Sequence, residues 1–488
     1  MFVILNHSIM ADEPNKNKSF LSALLVMTIL FFMWGFITSM NDILIPYLKK
    51  VFELSYFKAM LVQTCFFMAY FIGSLSYFII SVKTGDPIAR IGYKKAIVAG
   101  LLIAACGCLL FYPAASLKLY GLFLGALFIL GIGFTLLQVT ANPYVAILGK
   151  PETASSRLNL SQALNSLGHT TAPIIGGYLV FHFFTKFGSP FMNKAGEQIL
   201  TDKGLTLTAT SVQLPYLMFA TLFVLIAVVF IFSKLPKFTE ASTMEKGTGV
   251  LKHPHLILGI VAVFLYVGAE VSIGSMLINY FKELLNYPEV EAKSFLAFYW
   301  GGAMIGRFLG AISQSGSTNM VKKVGSMILV ATAAFIFIFF AVNYEGGITF
   351  GRIAPFIIFI VINLVGFRIG KSLPHRTLMV FAMMVIALLV TTMLTHGQTA
   401  LWSVIGIGLF NSIMWSNIFT LAIDGLGKYT SQASSLLVMS ILGGAVIPPI
   451  QGALADVAGI HYSFIIPIFS YIYLTYYGWK GYKYKKTT

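Results

Sequence analysis

Long apolar runs recur along most of this 488-residue chain and restrict its fold more than any other feature. A helix needs about 20 apolar residues to cross a bilayer. Because lipid offers no hydrogen bonds to the backbone, spanning segments must be helices or closed barrels. The runs therefore predict an all-α polytopic membrane protein with about fourteen spans. They lie near residues 20–45, 59–81, 95–113, 119–148, 157–182, 213–233, 255–280, 294–313, 325–343, 353–367, 377–395, 398–423, 432–455 and 462–479.

The charge distribution agrees with a membrane protein and predicts its orientation. Charged residues make up 10% of the chain, against about 25% in soluble domains. The net charge of +16 is not a sign of nucleic-acid binding, because the cations lie in short loops between apolar runs. Lys and Arg concentrate in cytoplasmic loops of membrane proteins. We therefore expect both termini to be cytoplasmic, in a plasma (inner) membrane.

A polar, Lys-rich stretch at 234–254 divides the chain into two parts. The predicted division is a cytoplasmic N-terminal tail at 1–19, a six-helix half at 20–233, a cytoplasmic linker at 234–254, a second half at 255–479 and a cytoplasmic tail at 480–488. Met1 and Met10 are both candidate start residues. The spans near 325–343 and 353–367 have no counterpart in the first half. We therefore expect an insertion of two peripheral helices at about 314–370.

Two segments of the first half recur at a constant distance in the second half. Transporters built from two parallel halves show this kind of weak internal symmetry, so the repeat favours a duplicated architecture. The matching segments are Gly168-x4-Pro173-x3-Gly177 with Gly443-x4-Pro448-x3-Gly452, and Ala141-Asn142-Pro143-Tyr144 with Ser416-Asn417-Ile418-Phe419.

Asp42 is the most unusual residue in the first apolar run. A carboxylate costs roughly 2.5–3.5 kcal/mol at the centre of a membrane helix and less near the interface. Such residues usually face an interior pathway, and Pro46 loosens the helix nearby. We therefore predict that Asp42 binds a proton or an ion. The alternative is a carboxylate at the helix end, hydrated among lipid headgroups.

Several amides share helix faces within the apolar runs. Gln138 and Asn142 are four residues apart, and Gln162, Asn165 and His169 follow an i, i+3, i+7 spacing. An amide both donates and accepts hydrogen bonds, which suits a neutral solute rich in hydroxyl groups, such as a sugar. The alternative is hydrogen bonding between helices. The other polar or amphipathic residues at membrane depth are Gln63, Glu270, Arg307, Asn411, Trp415 and Asn417.

Two of these residues have specific alternative roles. Glu270, on the first helix of the second half, needs a cation, a proton or the solute as a partner; the alternative is a structural ion pair with Arg307. Trp415 can stack on a sugar ring, and its alternative is simple packing.

The loop between the second and third spans contains Gly85, Arg90, Gly92 and Lys94. Glycine permits a tight turn, and the cations can meet the carbonyl groups at a helix C-terminus. We predict that Gly85, Arg90 and Gly92 latch a cytoplasmic gate. The alternative is a basic loop that only reflects membrane topology.

Taken together, these features resemble the major facilitator superfamily, although Ala89 stands where an acidic residue usually precedes the loop arginine. Within it, the chain resembles the fucose–proton symporter family, and its glucose/galactose transporter branch in particular. The motifs that carry this resemblance are Asn41-Asp42-Ile43-Leu44-Ile45-Pro46, Gln138-x3-Ala141-Asn142-Pro143-Tyr144, Arg157-x-Asn159-Leu160-x-Gln162-x2-Asn165-Ser166-x-Gly168 and Tyr266-Val267-Gly268-Ala269-Glu270.

The resemblance implies secondary active import of a hexose by symport with H⁺ or Na⁺, with Asp42 as the proton-coupling carboxylate and Gln162 and Asn165 in contact with the sugar. Fucose symporters carry Glu at the position of Gln138 and Gln at that of Glu270. This difference favours the glucose/galactose branch over L-fucose and leaves Na⁺ near Asp42 or Glu270 as an alternative. The other predicted substrate-binding residues are Asn41, Gln63, Gln138, Asn142, Tyr266, Glu270, Asn411 and Trp415.

Two other classes of function compete with transport: a membrane-embedded enzyme and a sugar sensor. The sequence has no metal-ligand set, nucleophile elbow or phosphate-binding loop, and no signalling domain. We therefore expect a monomeric transporter that is not an enzyme and needs no cofactor.

We predict that Asp42→Asn abolishes gradient-driven sugar accumulation while counterflow exchange survives. The amide has the same size as the carboxylate, but it cannot take up and release a proton near neutral pH. The measurement is uptake of labelled hexose into proteoliposomes with and without an ion gradient. Unchanged accumulation in the variant would contradict a coupling role for Asp42.

Overall fold

The computed structural model describes residues 14–54, 56–193, 196–200, 206–233, 235–236, 246–287, 289–343 and 349–484. The predicted N-terminal tail and linker are therefore only partly covered. Within the helices, the side chains of some residues, including Asn41, Asp42 and Pro173, lie outside the described part of the structure. The surroundings of Gly177 also lie outside the described part of the structure.

The described chain is almost entirely helical. The first bundle consists of α1 (Pro14–Val51), α2 (Tyr56–Thr84), α3 (Tyr93–Leu109), α4 (Tyr120–Ile147), α5 (Ala154–Tyr178) and α6 (Thr210–Phe232). The second bundle consists of α7 (Pro254–Leu285), α8 (Glu289–Ser313), α9 (Met320–Val342), α10 (Pro355–Ile369), α11 (Pro374–Leu394), α12 (Gly397–Asn411), α13 (Met414–Ile423), α14 (Thr430–Met439), α15 (Gly443–Ala458) and α16 (Ile465–Tyr476). The described part of the segment between α5 and α6 contains three isolated antiparallel β-bridges.

The fourteen predicted apolar segments all fall on helices. Twelve helical stretches of the described chain are long and apolar enough to cross a membrane. The segment near 157–182 is not among them, because α5 carries Ser, Asn, Gln and His side chains along its length. The segment near 462–479 is divided between α16 and short flanking turns. The prediction of an all-α polytopic membrane protein is confirmed.

The two bundles repeat one packing scheme. In the first bundle, α1 packs on α5, α2 on α4, and α3 on both α4 and α6. In the second bundle, α7 packs on α15, α8 on α12, and α11 on both α12 and α16. The bundles meet each other mainly where α5 packs on α8 and α2 on α14, with further contacts of α4 with α14 and of α5 with α13. The helices therefore correspond in the order that the sequence repeat predicts.

Equivalent glycines make very close contacts between helices in each bundle. A Cβ atom on Gly168 would lie 2.2 Å from the Phe32 carbonyl oxygen, where α5 crosses α1. One on Gly443 would lie 1.9 Å from the Phe264 carbonyl oxygen, where α15 crosses α7. Small residues permit such approaches between membrane helices. The repeated glycine thus sets the spacing of one helix pair in each bundle.

The two additional helices, α9 and α10, pack on the second bundle. α9 lies mainly on α8, and α10 contacts α8, α11 and α12. Next to α10, the guanidinium of Arg352 pairs with the Glu291 carboxylate and lies 5.5 Å from the ring centre of Tyr287 and 5.7 Å from that of Phe295. These contacts fasten the pair to the start of α8. That the pair is an insertion remains a prediction.

We predict that Gly443→Ala lowers the melting temperature in detergent, because the added methyl group would overlap the α7 backbone. Overpacking of this kind typically costs about 1–3 kcal/mol. Gly452→Ala is the matched control, since a Cβ there would find its nearest neighbour, Met276 Cε, at an ordinary 3.6 Å. Equal melting temperatures for the two variants would show that the close approach is not needed.

Candidate functional site

Helix α5 brings the predicted amides into the interior of the protein. Gln162 and Asn165 are buried on α5, and Asn142 is buried on α4. The Gln162 side-chain amide donates to Asn142 Oδ1 over 3.3 Å, whereas Asn165 Nδ2 donates to the Phe31 carbonyl on α1 over 3.0 Å. Gln162 and Asn142 therefore form one polar unit, and Asn165 also links α5 to α1.

Gln138 lies one turn before Asn142 on α4 and is also buried. The Tyr70 hydroxyl of α2 lies near the side chains of Gln138 and Trp34. Helices α1, α2 and α4 therefore contribute polar groups on the same side of the first bundle as α5. Gln63, also on α2, is half-buried.

In the second bundle, tyrosines surround Asn411. The Tyr471 hydroxyl donates to Asn411 Oδ1 over 2.7 Å, and Asn411 Nδ2 donates to the Tyr299 hydroxyl over 3.0 Å. The Tyr266 hydroxyl donates to the Asn411 carbonyl over 3.1 Å. These contacts join α7, α8, α12 and α16. They are the interhelical hydrogen bonds that the alternative interpretation of the amides describes.

Glu270 and Arg307 lie close together where the second bundle meets α5. Arg307 Nη2 lies 3.7 Å from Glu270 Oε1. Arg307 Nε donates to the Ser412 carbonyl over 3.1 Å, and its Nη1 donates to the Ser166 hydroxyl of α5. The ion pair with Arg307, given above as the alternative role of Glu270, is thus present in the structure.

A continuous polar path therefore connects the two bundles. Ser166 lies one turn after Gln162 on α5 and donates to the Gln162 carbonyl over 2.9 Å. The path runs from Asn142 through Gln162 and Ser166 to Arg307 and Glu270. Sequence spacing indicates the shared face of α5, but it does not indicate which residue of the other bundle α5 would meet.

The buried polar atoms without a hydrogen-bond partner among the described residues include Asn142 Nδ2 and Glu270 Oε1 on this path. They also include Trp415 Nε1 on α13, a helix that contacts α5. A buried polar atom without a partner costs about 1–3 kcal/mol. A buried polar group in a native structure normally has a partner, from the protein or from a bound molecule. These three atoms are the places where hydroxyl groups of a bound solute would find partners.

The remaining predicted residues lie in different surroundings. His169 is half-buried on α5, close enough to Arg307 for their charges to interact. Asn417 donates to the Pro374 carbonyl over 3.1 Å, away from the polar path. The side chains of Asn41 and Asp42 lie outside the described residues, so their predicted roles remain predictions.

A second group of contacts joins the bundles near the helix ends that border the linker. There the Ser155 and Thr420 hydroxyl oxygens are 2.6 Å apart. Gln432 Nε2 donates to Ser81 Oγ over 2.8 Å, and Asn159 Nδ2 donates to Gln314 Oε1 over 2.9 Å. The Tyr93 and Ser431 hydroxyl oxygens are 3.3 Å apart. We call this set the linker-side contacts. Sequence reasoning missed them, because Ser and Thr are common in helices and nothing local identifies their partners.

The predicted tight turn beside these contacts is present. Gly85 and Gly92 have φ angles of +88° and +81°, which favour glycine. Asp86 caps the short helix between them by accepting from the Ile88 amide over 2.9 Å. Arg90 is exposed. The latching role of this loop remains a prediction.

The predicted meeting of loop cations with carbonyl groups at a helix end holds for Lys94. Its ammonium group donates to the carbonyls of Ile231 and Ser233, at the end of α6, over 2.7 and 3.0 Å. This contact ties the start of α3 to the end of the first bundle.

Comparisons with known proteins agree with this architecture. The sequence pattern of the Major Facilitator Superfamily matches residues 27–367. A glucose/galactose transporter of Brucella abortus is 42% identical over 476 residues, covering 96% of this chain and 97% of that protein.

Solved crystal structures share the fold. The structure of the Escherichia coli fucose:proton symporter FucP matches with a TM-score of 0.71 at 25% identity, covering 95% of this chain and 99% of that chain. A structure of FucP in the outward conformation matches with a TM-score of 0.72 at 26% identity and the same coverage. This multi-pass membrane protein therefore belongs to the major facilitator superfamily of transporters.

Proposed function

We propose that this protein is a secondary active transporter that imports a hexose such as glucose or galactose together with H⁺ or Na⁺. The observation that carries the proposal is the polar path from Asn142 and Gln162 to Arg307 and Glu270, which crosses from one bundle to the other. The names of similar proteins, a glucose/galactose transporter and a fucose:proton symporter, support a sugar as the solute.

The chemistry of the path suits a sugar. Hydroxyl groups both donate and accept, as do the amides of Gln162 and Asn142. The unpartnered atoms of Asn142, Glu270 and Trp415 offer two further donors and one acceptor. The indole of Trp415 also offers an apolar face, to which the C–H face of a sugar ring is complementary. We assign Gln162, Asn142 and Trp415 to sugar binding and Asp42 to ion coupling.

Alternating access follows from the way in which the bundles meet. Repeat-based transporters rock one half against the other around a fixed site. The linker-side contacts hold the bundles together beside the linker, so we propose that this arrangement is closed toward the cytoplasm and open on the opposite side. The positive-inside distribution of Lys and Arg supports a cytoplasmic linker and cytoplasmic termini in the inner membrane. We further propose that the monomer is the working unit.

The function is tested by uptake of labelled glucose, galactose and L-fucose into proteoliposomes, with proton and sodium gradients imposed separately. We expect accumulation of glucose or galactose above equilibrium under one of the gradients, with the sugar recovered chemically unchanged. Accumulation of L-fucose alone would favour the fucose-symporter alternative. Accumulation of none of the three, or a chemically altered product, would refute the proposal.

The proposed closure is tested by weakening the linker-side contacts. A net contribution of about 1 kcal/mol for each hydrogen bond means that removing two of them should shift the equilibrium toward the cytoplasm-open form by roughly 30-fold. We therefore expect Gln432→Ala combined with Asn159→Ala to speed maleimide labelling of a cysteine placed at Ser156, which is buried on α5. Labelling is measured in inside-out vesicles.

The labelling experiment uses a background in which Cys65, Cys106 and Cys108 are replaced by alanine. Asn319→Ala is the control, because it removes a hydrogen bond to the Lys322 amide at the start of α9, outside the contacts between the bundles. A labelling rate that is the same for the double variant and the control would contradict closure by the linker-side contacts.

A further inference from the structure

Arg307 directs its donors toward three different helical segments. Nε donates to the Ser412 carbonyl between α12 and α13, Nη2 faces the Glu270 carboxylate of α7, and Nη1 donates to the Ser166 hydroxyl of α5. The first two partners belong to the second bundle, as does Arg307 itself. Ser166 belongs to the first bundle. One guanidinium is therefore held on one side of the bundle interface and bonded across it.

The charges of Glu270 and Arg307 balance each other. Their side chains are only 11% and 13% exposed, and a buried charge is tolerated when an opposite charge accompanies it. The separation of 3.7 Å is longer than a hydrogen bond, so Oε1 of Glu270 keeps capacity to accept a hydrogen bond. The pair is electrically compensated and still able to bind a neutral donor.

The other titratable groups around the pair do not provide a competing negative charge at neutral pH. Tyr266, Tyr299 and Tyr471 approach from α7, α8 and α16, and phenols titrate near pH 10 in water. His169 approaches from α5 and carries no negative charge in either common form. Among these described neighbours, Glu270 is the anion that faces Arg307.

Ser166 extends the contact to the predicted sugar site. Its hydroxyl accepts from Arg307 Nη1 and donates to the Gln162 carbonyl one turn earlier. The Gln162 side chain in turn donates to Asn142. A displacement of Arg307 would thus alter the α5 turn that carries Gln162, although Arg307 does not touch that amide.

We infer that Arg307 is a positioning residue, anchored by Glu270 and Ser412, that sets the α5 turn of Gln162 for sugar binding through Ser166, and that Glu270 serves as its counter-charge rather than as the ion-coupling site. This inference rests on the proposed transport of a hexose. It leaves ion coupling to a carboxylate elsewhere, for which the sequence offers Asp42. It also gives Glu270 Oε1 a role as a hydrogen-bond acceptor for a sugar hydroxyl.

The proposed rocking of the bundles would affect the three contacts of Arg307 differently. Ser412 and Glu270 move with Arg307 when the second bundle moves, so these contacts persist. The bond to Ser166 crosses the interface and must lengthen or break in each transport cycle. A neutral hydroxyl is a weaker partner than a carboxylate, so the bond that must break is of the weaker kind.

The test is a charge-pair cycle with Glu270→Gln, Arg307→Gln and the double variant, each reconstituted for hexose counterflow and for gradient-driven accumulation, with melting temperatures measured in detergent. Each single change leaves an unbalanced buried charge, so counterflow should fall by at least about tenfold and the melting temperature should drop. The double variant should have a higher counterflow rate and a higher melting temperature than either single variant. The ratio of the sugar that the double variant accumulates with the gradient to the sugar that it accumulates without the gradient should match the wild-type ratio.

Two further variants separate positioning from stability. Glu291→Gln breaks the more exposed pair with Arg352, whose side chains are 21% and 40% exposed, and should leave counterflow unchanged. Ser166→Ala should raise the KM for sugar counterflow without lowering the melting temperature as far as Arg307→Gln does. An unchanged KM in Ser166→Ala would refute the positioning role.

The ion-coupling alternative has a different signature. If Glu270→Gln kept wild-type counterflow and melting temperature but lost gradient-driven accumulation, Glu270 would be the ion site and the inference would be wrong. A double variant no better than the worse single variant would also overturn it. If the wild type transported no hexose, the proposed function would fail, while the melting temperatures would still test the ion pair by themselves.

Discussion

Helix α5 is polar along much of its length and packs among other helices of both bundles. α5 carries Arg157, Asn159, Gln162, Asn165 and His169, side chains that would be costly against lipid. α1, α4, α8 and α13 pack around it, and Arg157 is almost fully buried while donating to the carbonyls of Val145 and Ala146 at the end of α4. Most of these side chains bond within the first bundle, whereas Asn159 donates across the interface to Gln314. The polar groups that make α5 unsuitable for lipid thus hold it in its own bundle and also reach the other one.

Three features of the sequence predict parts of this fold. Apolar length locates the helices, and the repeat of Gly168 and Gly443 anticipates two helix crossings that are equivalent in the structure. The spacing of Gln162, Asn165 and His169 indicates one helix face. Each of these properties can be recognised in one segment or in a repeat of it. They predict structure reliably because a membrane helix forms its backbone hydrogen bonds within itself, whatever its neighbours are.

Partners across the bundle interface could not be predicted in the same way. Arg307 was identified as the alternative partner of Glu270, yet its bond to Ser166 depends on how α5 and α8 cross. The same holds within the second bundle: Asn411 is predicted as a sugar ligand because it is polar at membrane depth, and the structure adds that Tyr299 and Tyr471 bond both ends of its amide. A sequence shows which groups need a partner and leaves open which of several tyrosines or serines supplies it.

The distribution of charge connects packing with coupling. A coupled transporter needs an ionisable group whose charge changes during the cycle, and a group already neutralised by a fixed neighbour responds less to an incoming cation. Glu270 has such a neighbour in Arg307, and Ser412 helps to hold it. In the sequence, Asp42 has no cation nearby in its apolar run until Lys49 and Lys50 at the end of α1. We therefore propose that the compensated carboxylate of Glu270 serves the sugar. Ion coupling by Asp42 stays a prediction, because its side chain lies outside the described part of the structure.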